Sequence, residues 1–166
     1  AAAALTLGAS AQPAPKVLVV DVAKLYQGHW KTADMQAKLQ SDEQKAQVEK
    51  LVRAPLETQL WRVHLGWQGT RLLGTAVIDA TTVRTLPATF MVVLGPGGDV
   101  RRVEILAFHE PEEYLPARNW FEQFTGRFLD ENLWPRKAIH AVTGATMSVD
   151  SLTQEVRTTL AVFNLM

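Results

Sequence analysis

Apolar positions along this chain change period several times, and each change marks an element. Residues 32–52 place Met35, Leu39, Ala46, Val48 and Leu51 in an otherwise polar run of Lys, Asp, Glu and Gln without Gly or Pro. That spacing predicts one amphipathic helix with a solvated outer face, ended by Arg53-Ala54-Pro55. Upstream, residues 16–22 are rich in β-branched side chains and suit either a strand or the start of a helix. Leu60-Trp61-Arg62-Val63-His64-Leu65 alternates and predicts a strand, turned by residues 66–69.

The centre reads as short strands broken by glycine and proline. Leu72-Leu73-Gly74-Thr75-Ala76-Val77-Ile78 is one strand, Phe90-Met91-Val92-Val93-Leu94 a second and residues 100–108 a third. Gly95-Pro96-Gly97-Gly98-Asp99 between the last two is a hairpin signal. Residues 117–124 predict a short aromatic helix, and residues 129–136 an irregular stretch. Leu152, Val156, Leu160 and Phe163 then form the apolar stripe of a helix over 149–163. Helices at both ends of an antiparallel meander make an α+β domain.

Composition narrows the chemistry. At 166 residues and 47% hydrophobic content, the chain has enough apolar surface for one cored domain. Seventeen basic and seventeen acidic residues give no net charge, which argues against nucleic acid as a partner. With no cysteine, disulfides and cysteine-ligated zinc or iron–sulfur centres are excluded. The four histidines show no metal-ligand spacing. Redox chemistry would therefore need an organic cofactor or a histidine-held metal. Residues 1–11 look like the end of a secretory apolar region with an Ala-x-Ala site at Ala9 to Ala11. Residues 1–15 are expected to be a signal-peptide remnant or a disordered tail, and 16–166 the domain. The stretch is too short to span a membrane.

The most informative stretch is His140-Ala141-Val142-Thr143-Gly144-Ala145-Thr146-Met147-Ser148, immediately before the terminal helix. A small-residue turn there presents a threonine hydroxyl where a helix begins, and helix N-termini suit a phosphate. The ordinary alternative is capping by Thr143, Thr146 or Ser148, with Ser151 and Gln154 as a capping-box pair.

Thr143-Gly144-Ala145-Thr146 resembles the flavinylation motif of the FMN-binding domain family. That family includes the C subunit of sodium-translocating NADH:quinone reductase, the Rnf G subunit and NosR-type regulators. Glu110-Pro111 and Trp120-Phe121-Glu122-Gln123-Phe124-Thr125-Gly126-Arg127 are similar to the Glu-Pro and Gln-Phe-x-Gly stretches of the NosR-like branch. The likeness spans about residues 69–160, and His140 stands where the family usually has aspartate.

The resemblance implies FMN, taken from FAD by a flavin transferase and esterified through its phosphate to Thr146, with AMP leaving. It also implies an electron carrier outside the cytoplasm, in the periplasm for instance, serving a redox partner protein or membrane electron-transfer chain. Glu110 would lie near the flavin site, and His140 could orient Thr146 or the phosphate. Trp120, Phe121, Phe124, Trp134 and Met147 are candidate ring contacts, each equally suited to core packing. No acid/base or nucleophile constellation is visible for a stand-alone enzyme. A rival reading keeps the fold as a noncovalent flavin- or ligand-binding sensory or interaction module.

Overall fold

In the computed structural model of the protein, the residues described are 16–17, 33–39 and 41–165. Their elements are β1 Lys16–Val17, β2 Ala33–Lys38, α1 Asp42–Val52, β3 Leu60–Gln68, β4 Arg71–Thr82, β5 Pro87–Leu94 and β6 Val100–Phe108, then two short 3-10 helices, Glu112–Tyr114 and Arg118–Phe124, and finally α2 Thr146–Phe163. The strands form one antiparallel sheet in the order β1-β6-β5-β4-β3-β2. From β2 to β6 it is a meander in which each strand pairs with the next. The α+β class therefore holds. The tail at 1–15, and most of 16–22, lie outside the described residues.

The first expected helix is corrected. The single helix over 32–52 is a strand followed by a helix. Residues 33–38 form β2, with Met35 opposite Val63 of β3. Ser41 sits in extended conformation, and its hydroxyl accepts the Gln44 N–H at 3.2 Å. That cap starts the helix at Asp42, and the alternating β3 strand offers backbone groups that residues 33–38 satisfy. Strand pairing overrides a helical pattern that carried little apolar weight.

Alternate strand positions point to opposite faces, and in the central strands both faces are buried: Ala76, Met91 and Val93 form a cluster of their own, while the residues between them face the helices. Trp61 and Val63 of β3 and Val77 of β4 pack with Val48 and Val52 of α1 and with Ala161 and Val162 of α2. Phe90, Val92 and Leu94 of β5 and Val103 and Ile105 of β6 pack with Val149, Leu152, Val156 and Leu160 of α2. The terminal helix thus crosses both clusters, and it begins at Thr146 rather than Val149. Its C-terminal end meets the β5–β6 hairpin. A Cβ on Gly98, whose φ is +85°, would stand 3.0 Å from the Phe163 ring.

The aromatic segment is a 3-10 helix, not an α-helix. Trp120, Phe121 and Phe124 are all buried in the β5–β6 cluster. The Trp120 ring meets those of Phe121 and Phe124 edge-on, at 5.0 and 5.3 Å. At three residues per turn Phe121 and Phe124 share one face and Trp120 lies about 120° round from it, yet all three are buried.

Candidate functional site

The turn before α2 is closed by the Ala145 N–H bonding the Val142 carbonyl at 3.1 Å. Its third residue, Gly144, has φ +85°. A turn with a left-handed third position favours glycine there. Ala145 is buried, whereas Thr143, Gly144, Thr146 and Met147 face solvent. Thr146 is therefore the first helical residue and is exposed. The first helical hydrogen bond runs from Val149 N–H to the Ala145 carbonyl, at 2.9 Å.

The capping alternative is not what the structure builds. The N-cap residue is Ala145, and no side chain caps the helix. Buried Ser148 spends its hydroxyl on the Tyr114 carbonyl. Gln154 reaches away to the Val52 carbonyl at 2.9 Å, so Ser151 and Gln154 form no capping box. The amides of Thr146, Met147 and Ser148 thus stand at the positive end of an 18-residue helix without a side-chain acceptor.

Those residues open onto a cleft of about 230 Å³, lined by Arg84, Tyr114 and residues 144–148. Arg84 is the cleft residue that sequence reasoning misses. It comes from the β4–β5 turn, 62 positions from Thr146 by number (146 − 84). Its guanidinium lies 4.2 Å over the centre of the Tyr114 ring. Nothing in Thr82-Val83-Arg84-Thr85 marks it in sequence. Only the fold brings it to the helix terminus.

Glu110 explains how that turn is held. It is buried, and its carboxylate accepts the N–H of Thr85 at 2.7 Å and of Leu86 at 2.9 Å. The Thr85 hydroxyl approaches the same oxygen at 3.4 Å. These bonds, the Thr85 N–H foremost, hold the carboxyl below the ordinary range of a glutamate. Glu110 is a positioning residue for the arginine turn and does not line the cleft.

His140 and Trp120 also act from behind. The Trp120 indole N–H donates to the His140 carbonyl at 2.7 Å, and the His140 N–H donates to the Gln123 side chain at 2.8 Å. The 3-10 helix thereby fixes the chain just ahead of the turn. The His140 side chain is exposed, and neither residue lines the cleft. Phe121 and Phe124 are core, and Trp134 packs beneath Arg157 with its ring centre 4.0 Å from the guanidinium. Met147 lines the cleft at 52% exposure and is the apolar surface nearest Thr146 in sequence.

The arrangement suits a phosphate anion. Backbone donors and a guanidinium converge on one cleft, with a hydroxyl-bearing residue at its edge. Compared with known proteins, the chain matches no family model, no curated protein and no solved structure. No group of three His, Asp or Glu able to hold a metal occurs among the described residues. No helix of the described residues is long and apolar enough to cross a membrane.

Proposed function

We propose that this domain is an extracytoplasmic electron carrier with an FMN-binding-domain-like fold, its FMN held by a phosphoester to Thr146. The observation that carries the reading is an exposed threonine at the first position of an uncapped helix, facing a cleft that also holds Arg84. The amides of residues 146–148 and the Arg84 guanidinium receive the phosphate. A phosphodiester keeps one negative charge beside the helix terminus, worth about 0.3–1 kcal/mol when exposed and up to roughly 2 when partly buried. The cleft, about 230 Å³, is smaller than the roughly 300–1,000 Å³ of a site that encloses a whole ligand. It would hold the phosphate and the adjoining chain, leaving the ring outside the cleft, and Met147 would offer the exposed apolar side chain beside it.

Bound FMN supplies one- and two-electron chemistry; the protein supplies retention and orientation. Thr143, Gly144 and Ala145 shape the turn that a flavin transferase would read. The test is coexpression with such a transferase, followed by denaturing electrophoresis and intact-mass measurement. Flavin fluorescence and the added FMN mass should survive denaturation in the parent and in Thr146→Ser, and vanish in Thr146→Ala. Fluorescence persisting in Thr146→Ala would overturn the attachment site. The same cradle would also favour a free phosphorylated flavin, the noncovalent rival, which is distinguished by colour lost on denaturation in the parent itself.

A further inference from the structure

A second cleft, of about 440 Å³, lies where α2 meets β4 and the connection from α1 to β3. Its wall carries Glu57 from that connection, Asp79 from β4 and Glu155 from α2. Trp61 of β3, Thr81 of β4 and Thr158 of α2 complete its polar and aromatic lining. No Lys, Arg or His is among the described residues lining it. Three carboxylates from three elements therefore face one space without a countercharge. They do not sit closely enough to hold a metal ion.

The three are not equivalent. Glu57 is exposed. Asp79 accepts the Ala80 N–H at 2.8 Å and a hydrogen bond from Trp61, both of which favour its ionised form. Burial nonetheless raises it, and the Glu57 charge adds to that. Glu155 sits on the helix side facing both acids, with the Thr81 hydroxyl opposite. Burial pushes its carboxyl up to about 7, with Asp79 and Glu57 adding to the rise and Thr81 opposing it.

We propose that this seam is a proton-operated latch: a proton on Glu155 lets α2 close on β4 and on residues 54–58, and its release to solvent sets three carboxylates against one another and opens the seam. Burial beneath the seam disfavours a charged Glu155, and the Asp79 and Glu57 charges add to that, so the closed form prefers the proton. A carboxyl raised in the closed state favours closure fully below the ordinary value of 4.5. That advantage is lost as pH rises from there to about 7, and is gone above it. The latch is independent of any cofactor at Thr146.

Carboxyl carbon NMR on the full chain, labelled at Glu and Asp, reads the latch directly. Glu155, assigned by the signal missing in Glu155→Gln, should titrate near neutrality. Backbone hydrogen exchange over residues 56–58 and 79–82, corrected for intrinsic pH dependence, should rise by on the order of tenfold across the titration. In Glu155→Gln the exchange should stay flat at the low-pH level. Asp79→Asn, which removes one charge and keeps Glu155, should lower the Glu155 midpoint and tests the coupling even if the glutamine variant folds poorly. A Glu155 midpoint near 4.5, or the same pH-dependent opening in Glu155→Gln, would overturn the latch.

Discussion

Arg84 and Glu110 show how one exposed cation is placed. Arg84 leans on Tyr114 from a turn whose two consecutive amides, Thr85 and Leu86, are taken by one buried carboxylate. Because Arg84 is exposed, Arg84→Ala should change stability by no more than about 0.5 kcal/mol. It should nevertheless slow flavin attachment at Thr146, read as the rate at which in-gel fluorescence appears. An unchanged rate would remove Arg84 from the site. Glu110 makes a pH prediction of its own. Its folded-state value is depressed, so its ionised form stabilises the fold above the ordinary 4.5 and that contribution fades as acid protonates it below. Thermal melts through the acid range should fall less steeply for Glu110→Gln than for the parent, from a lower starting point at neutral pH. At this scale the sequence was legible where a residue acts locally. Gly144 in its turn and Thr146 at the helix start are both visible from neighbours in the chain. Arg84 was not, because its meaning depends on a helix terminus 62 positions away (146 − 84).

Among the elements, the 3-10 helix carries the plainest test. Phe124 is fully buried between the sheet and α2, so Phe124→Ala should cost about 3–5 kcal/mol in denaturant unfolding. Any folded fraction should keep the flavin absorption and midpoint potential of the parent, since Phe124 does not line the Thr146 cleft. A shifted potential without loss of stability would reverse that assignment. The strands were legible because alternation and glycine-rich turns are local signals, but β3 runs on through residues 66–68, where a turn was expected, because those residues pair with 71–74 of β4. The helix expected over 32–52 failed at its first half, because Ser41 caps a later start and β3 supplies a pairing partner. The aromatic segment was located correctly, but its 3-10 winding was not. Composition marks a short helical stretch but not which winding it takes.

Across the whole molecule, one side chain ties together parts distant in sequence. Arg157, 3% exposed on α2, donates to the carbonyls of Asp130 at 2.7 Å, Leu133 at 3.2 Å and Leu51 at 2.7 Å. Its guanidinium also stacks on Trp134. Burial lowers its pKa, with the Arg53 charge acting in the same direction. Removing it leaves acceptors at the end of α1 and in the 130–133 stretch without a donor, at about 1–3 kcal/mol for each that stays buried. Arg157→Ala should therefore lower the melting temperature and raise hydrogen exchange at both places together. Loosening at only one of them would show that Arg157 does not join them.

The chain by itself determined the α+β class, the strand sequence from β3 to β6, the apolar stripe of the last helix and the turn that delivers Thr146. Each is written in periodicity or in turn chemistry that neighbouring residues enforce on one another. Tertiary structure alone decided that β2 is a strand and that the last helix starts uncapped. It also brought Arg84 to that helix start, made Glu110 a brace for the arginine turn and set a half-buried Glu155 opposite two other acids. The physical reason is common to all of these. Burial, charge proximity and hydrogen-bond satisfaction depend on partners that the folded sheet and helices bring together across long stretches of sequence.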